Sequence, residues 1–237
     1  MENYTYLDLL AEFGVGGAHP GGFQLTKEML DSEKINSQTI ILDAGCGTGQ
    51  TSAYLYNQYH ANVYGLELNP IMVQKAKTRF EQQHLPIHLN QGSIEEIPFE
   101  DNCFDFILSE SVLAFVNKEK ALREFNRVLK KGGRLIANEM TLNYFLTNEA
   151  QQEIKKFYDL DFLLLESDWK DLLNKTGFND IKISGGDQSM QGGNTAPEFH
   201  FSKDVGFELF DILNQHGQII IKYQDSLSYR VITCTKK

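Results

Sequence analysis

Leu42-Asp43-Ala44-Gly45-Cys46-Gly47-Thr48-Gly49 leaves a short apolar β-rich run, Thr39-Ile40-Ile41-Leu42-Asp43, and enters a segment of helical period from about Thr51. Three glycines at alternate positions let the backbone turn sharply and approach a ligand with no Cβ in the way. The helix that follows offers free N–H groups to a carboxylate or other anion. A strand-to-helix turn that binds nothing has the same local composition, so the flanking sequence must separate the two readings. Spacing then selects the ligand. A dinucleotide fingerprint reads G-x-G-x-x-G. Here the third glycine comes one residue early, at Gly49, and Gln50 stands where that fingerprint needs glycine. Asp43, two residues before the first glycine, is also unlike a dehydrogenase strand. A nicotinamide-linked oxidoreductase is therefore disfavoured.

Outward from this turn, β-rich runs alternate with helix-period segments, the pattern of a parallel sheet covered by helices. Further strands are expected at about 62–67, 87–90, 104–108, 134–139, 178–184 and 229–235. Asn69 reads as an N-cap with Pro70 at the first helical position, and Met72, Ala76 and Phe80 give that helix an apolar face. Ala121, Leu122, Phe125, Val128 and Leu129 mark the next helix, expected to stop at Gly132-Gly133 in a left-handed C-cap. Helices are expected at about 148–159 and 168–176, the second capped by Asp168 and stopped at Gly177. A Gly-rich stretch follows at 185–195, then a helix from about Lys203; periodicity leaves 219–223 open between helix and strand. No repeat or linker divides the chain. It reads as one unit with an N-terminal helical cap (1–36), a ligand-binding core (37–140) and a C-terminal half of covering helices and the last two strands (141–237).

The chain has 237 residues, 41% hydrophobic and 23% charged, which is ordinary for a globular protein with a substantial core. Its net charge of −10 opposes the phosphate neutralisation on which nucleic-acid binding depends. DNA and large RNA are not expected partners. Cys46, Cys103 and Cys234 lack metal-ligand or redox spacing, so no metal is expected and a reduced, cytoplasmic setting is. Neither a basic leader nor a run long enough to span a bilayer is apparent, so no membrane partner is expected.

With these residues in view, the sequence resembles the class I S-adenosylmethionine-dependent methyltransferases, whose first motif is hydrophobic-Asp-x-Gly-x-Gly-x-Gly. The match is close over 39–140 and loose over the whole chain. It implies a Rossmann-like α/β fold: a seven-stranded, mostly parallel sheet with an antiparallel last strand and helices on both faces. It also implies S-adenosyl-L-methionine as cofactor. The first motif would hold it through Asp43, Gly45, Cys46, Gly47, Thr48, Gly49, Gln50 and Thr51. Gly65-Leu66-Glu67-Leu68-Asn69-Pro70 matches the family's second site, where an acid accepts bonds from both ribose hydroxyls; Glu67 takes that place, with Leu68 and Met72 beside it. An ionised carboxylate suits the task because it accepts two such bonds side by side. Gly92, Ser93 and Ile94 stand where the family usually has Gly-Asp-Ala against adenine, so a hydroxyl replaces the acid and Ile94 packs on the ring. Ser109 and Glu110 fall in the loop that the family sets beside the cofactor's methionine part. Arg127 to Gly133 matches a helix-to-strand turn that carries structure.

His19-Pro20-Gly21-Gly22-Phe23 also occurs in a subset of bacterial enzymes that resemble this chain. It reads either as a simple turn or as a cap over the methionine end, with His19, Gly21 and Gly22 reaching the carboxylate. The implied activity is methyl transfer to a small-molecule acceptor by in-line displacement. The candidates for a general base are His19, Glu110 and Glu139. Tyr144, Phe145, Tyr158 and Trp169 point to a partly apolar or aromatic acceptor. The alternative is a non-catalytic S-adenosylmethionine-binding sensor or partner subunit.

Overall fold

β1 (Ile40–Ala44) alternates its apolar side chains between two layers, as a strand's twofold period demands. A computed structural model describes residues 4–185 and 197–237 of the chain. Leu42, Ile107, Leu135 and Ala137 share one buried cluster with Leu122 and Phe125 of α5 (Lys118–Val128) and Trp169 and Leu173 of α7 (Glu166–Lys175). Their neighbours Ile41, Leu108 and Ile136 belong to a second cluster. It includes Met29 and Leu30 of α2 (Gly22–Asp31) and Leu55 of α3 (Gln50–Tyr59). Helices thus cover both faces. Each fully buried Leu or Phe contributes about 1.5–3 kcal/mol.

The remaining strands are β2 (Asn62–Glu67), β3 (His88–Gln91), β4 (Phe104–Glu110), β5 (Leu129–Leu142), β6 (Phe178–Ser184) and β7 (Leu227–Lys236). They form one seven-stranded sheet in the order β3-β2-β1-β4-β5-β7-β6. β1 to β5 pair in parallel, and β7 runs antiparallel to both β5 and β6. The order reverses between β1 and β4, so the crevice beyond their carboxyl ends is the ligand position expected of such a sheet. α1 (Tyr6–Phe13), α4 (Pro70–Gln82), α6 (Asn148–Tyr158) and α8 (Glu208–Lys222) complete the helices. Asn69 caps α4 as expected, its Oδ1 accepting from the Ile71 and Met72 N–H groups.

Three local expectations are corrected. α5 stops at Val128, not at Gly132-Gly133, because Leu129 is already extended and pairs with Phe104 of β4. The register then shifts before Arg134 pairs with Phe106, and Gly132 takes its positive φ of 74° inside β5. Asp168 is not the N-cap of α7. It lies inside the first turn and accepts from the Leu165 N–H at 2.8 Å. The helix expected from Lys203 begins only at Glu208, because backbone bonds from His200 to Phe13 and from Ser202 to Glu12 first tie the chain to the end of α1. Residues 219–222 continue that helix. Of the Gly-rich stretch, 186–195 lie outside the described residues. Among the described residues, no helix is long and apolar enough to cross a membrane.

Candidate active site

A cavity of about 720 Å³ lies at the carboxyl ends of β1, β2 and β4. The glycine turn forms its floor. The Gly45 and Cys46 N–H groups donate to Leu66 O at 2.7 and 3.1 Å, and Gly49 N–H donates to Cys46 O at 2.8 Å. Gly47 N–H donates to Glu67 Oε2 at 3.0 Å. The turn therefore spends these amides on holding its own shape and its neighbour strand, rather than leaving them all to an anion. What stays open is space: a Cβ built on Gly47, at φ +53°, meets nothing within 4 Å. Thr48 Oγ1 and Gln50 Oε1 are buried beside it without a hydrogen-bond partner among the described residues. Buried polar atoms of that kind call for a partner beyond the described residues.

Glu67 uses its second oxygen to accept from Asn69 N–H at 2.8 Å. Burial raises its pKa, and the Asn69 and Gly47 N–H groups oppose that rise. Asp43 at the end of β1 is buried and accepts from Ser52 Oγ at 2.5 Å. Burial pushes it up to about 7, with the negative charges of Glu110 and Glu67 adding and the Ser52 bond opposing. Glu110 accepts from Thr26 Oγ1 at 2.6 Å and from Thr51 Oγ1 at 2.9 Å. Together with Glu198, these make four carboxylates around the cavity, and no Lys or Arg stands among the described residues that line it. Such a lining favours a positively charged ligand.

Above the turn, His19 Nε2 lies 3.3 Å from Glu110 Oε1 and 3.2 Å from Thr26 Oγ1. Its Nδ1 lies 3.2 Å from Asn138 Nδ2, which donates to Pro20 O at 2.8 Å. Both ring nitrogens are thus engaged, and the His19-Pro20 segment is fastened to β4 and β5. A second strap crosses at Gly16, whose N–H donates to Glu198 O at 2.9 Å. Arg79 of α4 joins strap to floor: its Nε donates to Thr48 O at 2.8 Å and its Nη2 meets Glu198 Oε2 at 2.8 Å.

Of the residues named from sequence, Asp43, Gly45, Cys46, Gly47, Thr48, Gln50, Thr51, Glu67, Leu68, Met72, Gly92, Ser93, Ile94, Glu110, His19 and Gly22 line this cavity. Gly49, Gly21, Ser109 and Glu139 do not. Of the aromatics named for the acceptor only Tyr158 does, since Tyr144 and Phe145 face outward and Trp169 is buried in the core. A Cβ at Gly49 would come within 2.6 Å of the Phe80 ring, so that glycine serves helix packing. Gly21 is the N-cap of α2. Ser109 and Glu139 are fully buried and bonded to each other at 3.3 Å. Glu139 Oε1 also accepts from the Val112 and Leu113 N–H groups, and burial pushes its carboxyl up to about 7. Ser93 Oγ accepts from Glu95 N–H at 3.1 Å and keeps its own proton to donate. Sequence reading missed Gly16, Gly17, Val112, His216 and Glu198, all of which line the cavity. The glycines just upstream of His19 were a usable signal for the first two. Nothing local marks the others.

With this geometry in place, the comparisons are informative. A methyltransferase domain model matches residues 42–137. The chain is 36% identical to the uncharacterized methyltransferase YodH of Bacillus subtilis (strain 168), over 98% of this chain and 99% of that protein. It superposes with a TM-score of 0.79 on phosphoethanolamine N-methyltransferase 2 of Haemonchus contortus in complex with S-adenosyl-L-methionine. That match has 19% identity and covers 98% of this chain but 57% of the other. A geranyl diphosphate C-methyltransferase from Streptomyces coelicolor A3(2), bound to S-adenosyl-L-homocysteine, superposes with a TM-score of 0.70 at 13% identity, covering 90% of this chain and 76% of that one.

Proposed function

Because the chain belongs to the class I S-adenosylmethionine-dependent methyltransferases, we propose that it methylates a small, partly apolar molecule inside the 720 Å³ cavity. The observation that carries this reading is the acidic lining, without Lys or Arg among the described residues, set around a glycine floor whose missing Cβ faces open space. Bound S-adenosylmethionine supplies an electrophilic methyl group on a positively charged sulfur. Glu67 would accept from its ribose hydroxyls, since each carboxylate oxygen retains a lone pair after the backbone bonds. Ile94, 4% exposed, offers an apolar wall to the adenine, and the Ser93 hydroxyl a polar edge. Glu110 places negative charge toward the ligand's positive end, and a bound cation would favour ionisation of Asp43, which burial otherwise pushes up to about 7. The His19 and Glu198 straps close the site, which keeps water from the reacting atoms. Holding the reactants in line contributes about 7–11 kcal/mol at most to lowering the barrier.

A small acceptor is consistent with relatives whose names specify small substrates, including an O-methylkolavelool synthase and phosphoethanolamine methyltransferases. The net charge of −10 argues against DNA or large RNA as the partner. Three scattered cysteines without redox or metal-ligand spacing are the ground for placing the protein in the cytoplasm. In this reading His19 fastens the cap, because both of its nitrogens are spoken for. Calorimetric titration with S-adenosylmethionine, S-adenosylhomocysteine and NAD tests the proposal. Binding of the two sulfur compounds and not of NAD is expected; a protein that binds neither overturns it. Binding without turnover on any small acceptor would point instead to a sensor.

A further inference from the structure

Away from the glycine turn the same cavity becomes aromatic and apolar, lined by Tyr6, Phe115, Met140, Tyr158, His216 and Ile220. Two of these form a polar pair inside that wall. Tyr158 Oη, at the end of α6, lies 2.8 Å from His216 Nδ1 in the middle of α8. Tyr6 from α1 stacks on the imidazole at 4.9 Å between centroids and 25° between planes, and it meets Tyr158 edge-on at 5.0 Å. The ring is thus held in one orientation from two sides. Its Nε2 has no hydrogen-bond partner among the described residues. Burial lowers the His216 pKa, so the ring is neutral near pH 7 and keeps a lone pair. The titratable groups facing it are Tyr6 and Tyr158, and burial raises both well above the ordinary phenol value, so they stay protonated.

We propose that His216 takes the proton from the methyl acceptor, and that this acceptor is an uncharged hydroxyl compound with a largely apolar or aromatic body. The inference rests on the methyltransferase reading above. Tyr158 is a positioning residue: in the proposed tautomer the proton sits on Nδ1 and the Tyr158 oxygen accepts it at 2.8 Å, which leaves Nε2 as the base. As the acceptor oxygen bonds to the methyl carbon, the carbon–sulfur bond breaks with its electron pair passing to sulfur. The hydroxyl proton moves to Nε2, and the imidazolium returns it to water when the products leave. An uncharged acceptor follows from the lining. A phosphate or carboxylate would be enclosed with Asp43, Glu67 and Glu110, and with a Glu198 that already occupies Arg79. No Lys or Arg stands among the described lining residues, which leaves its charge uncompensated.

The matched probes 1-naphthol and 1-naphthyl phosphate, which differ in charge, test this with the full chain. Binding of S-adenosylhomocysteine is measured first, because its failure would sink the parent reading and not this one alone. With that ligand bound, 1-naphthol should bind and the phosphate ester should not. With S-adenosylmethionine, 1-methoxynaphthalene should form, at a rate that rises with pH through an inflection below the ordinary histidine value. His216→Gln should lower kcat by about 10²-fold or more while S-adenosylhomocysteine affinity, the check on folding, stays within about twofold of wild type. Tyr158→Phe should move the inflection and lower kcat less. Failure of 1-naphthol to bind or to be methylated, equal binding of the phosphate ester, or unchanged rate and pH profile in His216→Gln would each overturn the proposal.

Discussion

Glu67 Oε2 accepts the Gly47 N–H at 3.0 Å, which makes the acid ending β2 and the glycine turn after β1 a single unit. Removing the carboxylate leaves two backbone donors, Gly47 and Asn69, without their acceptor. Glu67→Ala should therefore cost stability of about 1–3 kcal/mol and weaken S-adenosylhomocysteine binding by about 10-fold or more. Calorimetry showing unchanged affinity would remove Glu67 from the site.

Gly47 and Gly49 look alike in sequence but should fail in different ways. Both have positive φ, 53° and 75°, so alanine at either costs about 1–2 kcal/mol. At Gly47 the new methyl group enters open space facing the ligand, and at Gly49 it lies 2.6 Å from Phe80. Gly47→Ala should lose affinity with a modest stability loss. Gly49→Ala should add an overpacking cost of about 1–3 kcal/mol. Urea denaturation of both variants beside ligand titration checks the contrast; equal stability losses would refute it.

Arg79 links Thr48 O to Glu198 and so ties the strap to the floor. Its side chain is 9% exposed against 34% for Glu198, so part of the pair's attraction is screened. Arg79→Met should speed hydrogen exchange at the Gly16 amide, which bonds to Glu198 O, and weaken cofactor-product binding a few-fold. Unchanged exchange at Gly16 would show that the strap holds without Arg79.

Glu139 gives a pH dependence of defined sign. Its folded pKa of about 7 lies above the ordinary glutamate value of about 4.3. The folded state therefore binds more protons than the unfolded state between those values. This contribution is fully present below about pH 4 and is lost as pH rises through about 7. Glu139→Gln keeps an acceptor for Val112 and Leu113 but cannot ionise, so its Tm relative to wild type should climb across that window. A difference in Tm that stays flat from pH 4 to 8 would count against the buried-acid assignment.

Strand and helix positions near the glycine turn were legible because short-range rules govern them. Asn69-Pro70 carries a cap and a pre-set φ within two residues, and the strand at 62–67 appears with those bounds. Reading was poorer where a distant partner competes with local preference. Gly132-Gly133 has the composition of a helix C-cap. Pairing of Leu129 with Phe104 draws the chain into β5 first, and the glycines absorb the register shift. Lys203 has ordinary helical surroundings, yet backbone bonds to α1 delay α8 to Glu208.

By itself the sequence determined the sheet-and-helix rhythm and the residues of the glycine turn, because these depend on spacing within a few residues of one strand end. The cofactor class followed from the resemblance of that turn and its neighbours to a known family. Tertiary structure decided which of those residues face the cavity. It turned Gly47 toward open space and Gly49 onto Phe80, and it buried Glu139 behind the β4 loop. It also brought Tyr158 and His216 together from two helices, with Tyr6 laid against both. No local pattern encodes such a meeting. It arises only when the helices that follow the core fold back over the same edge of the sheet and share its apolar surface.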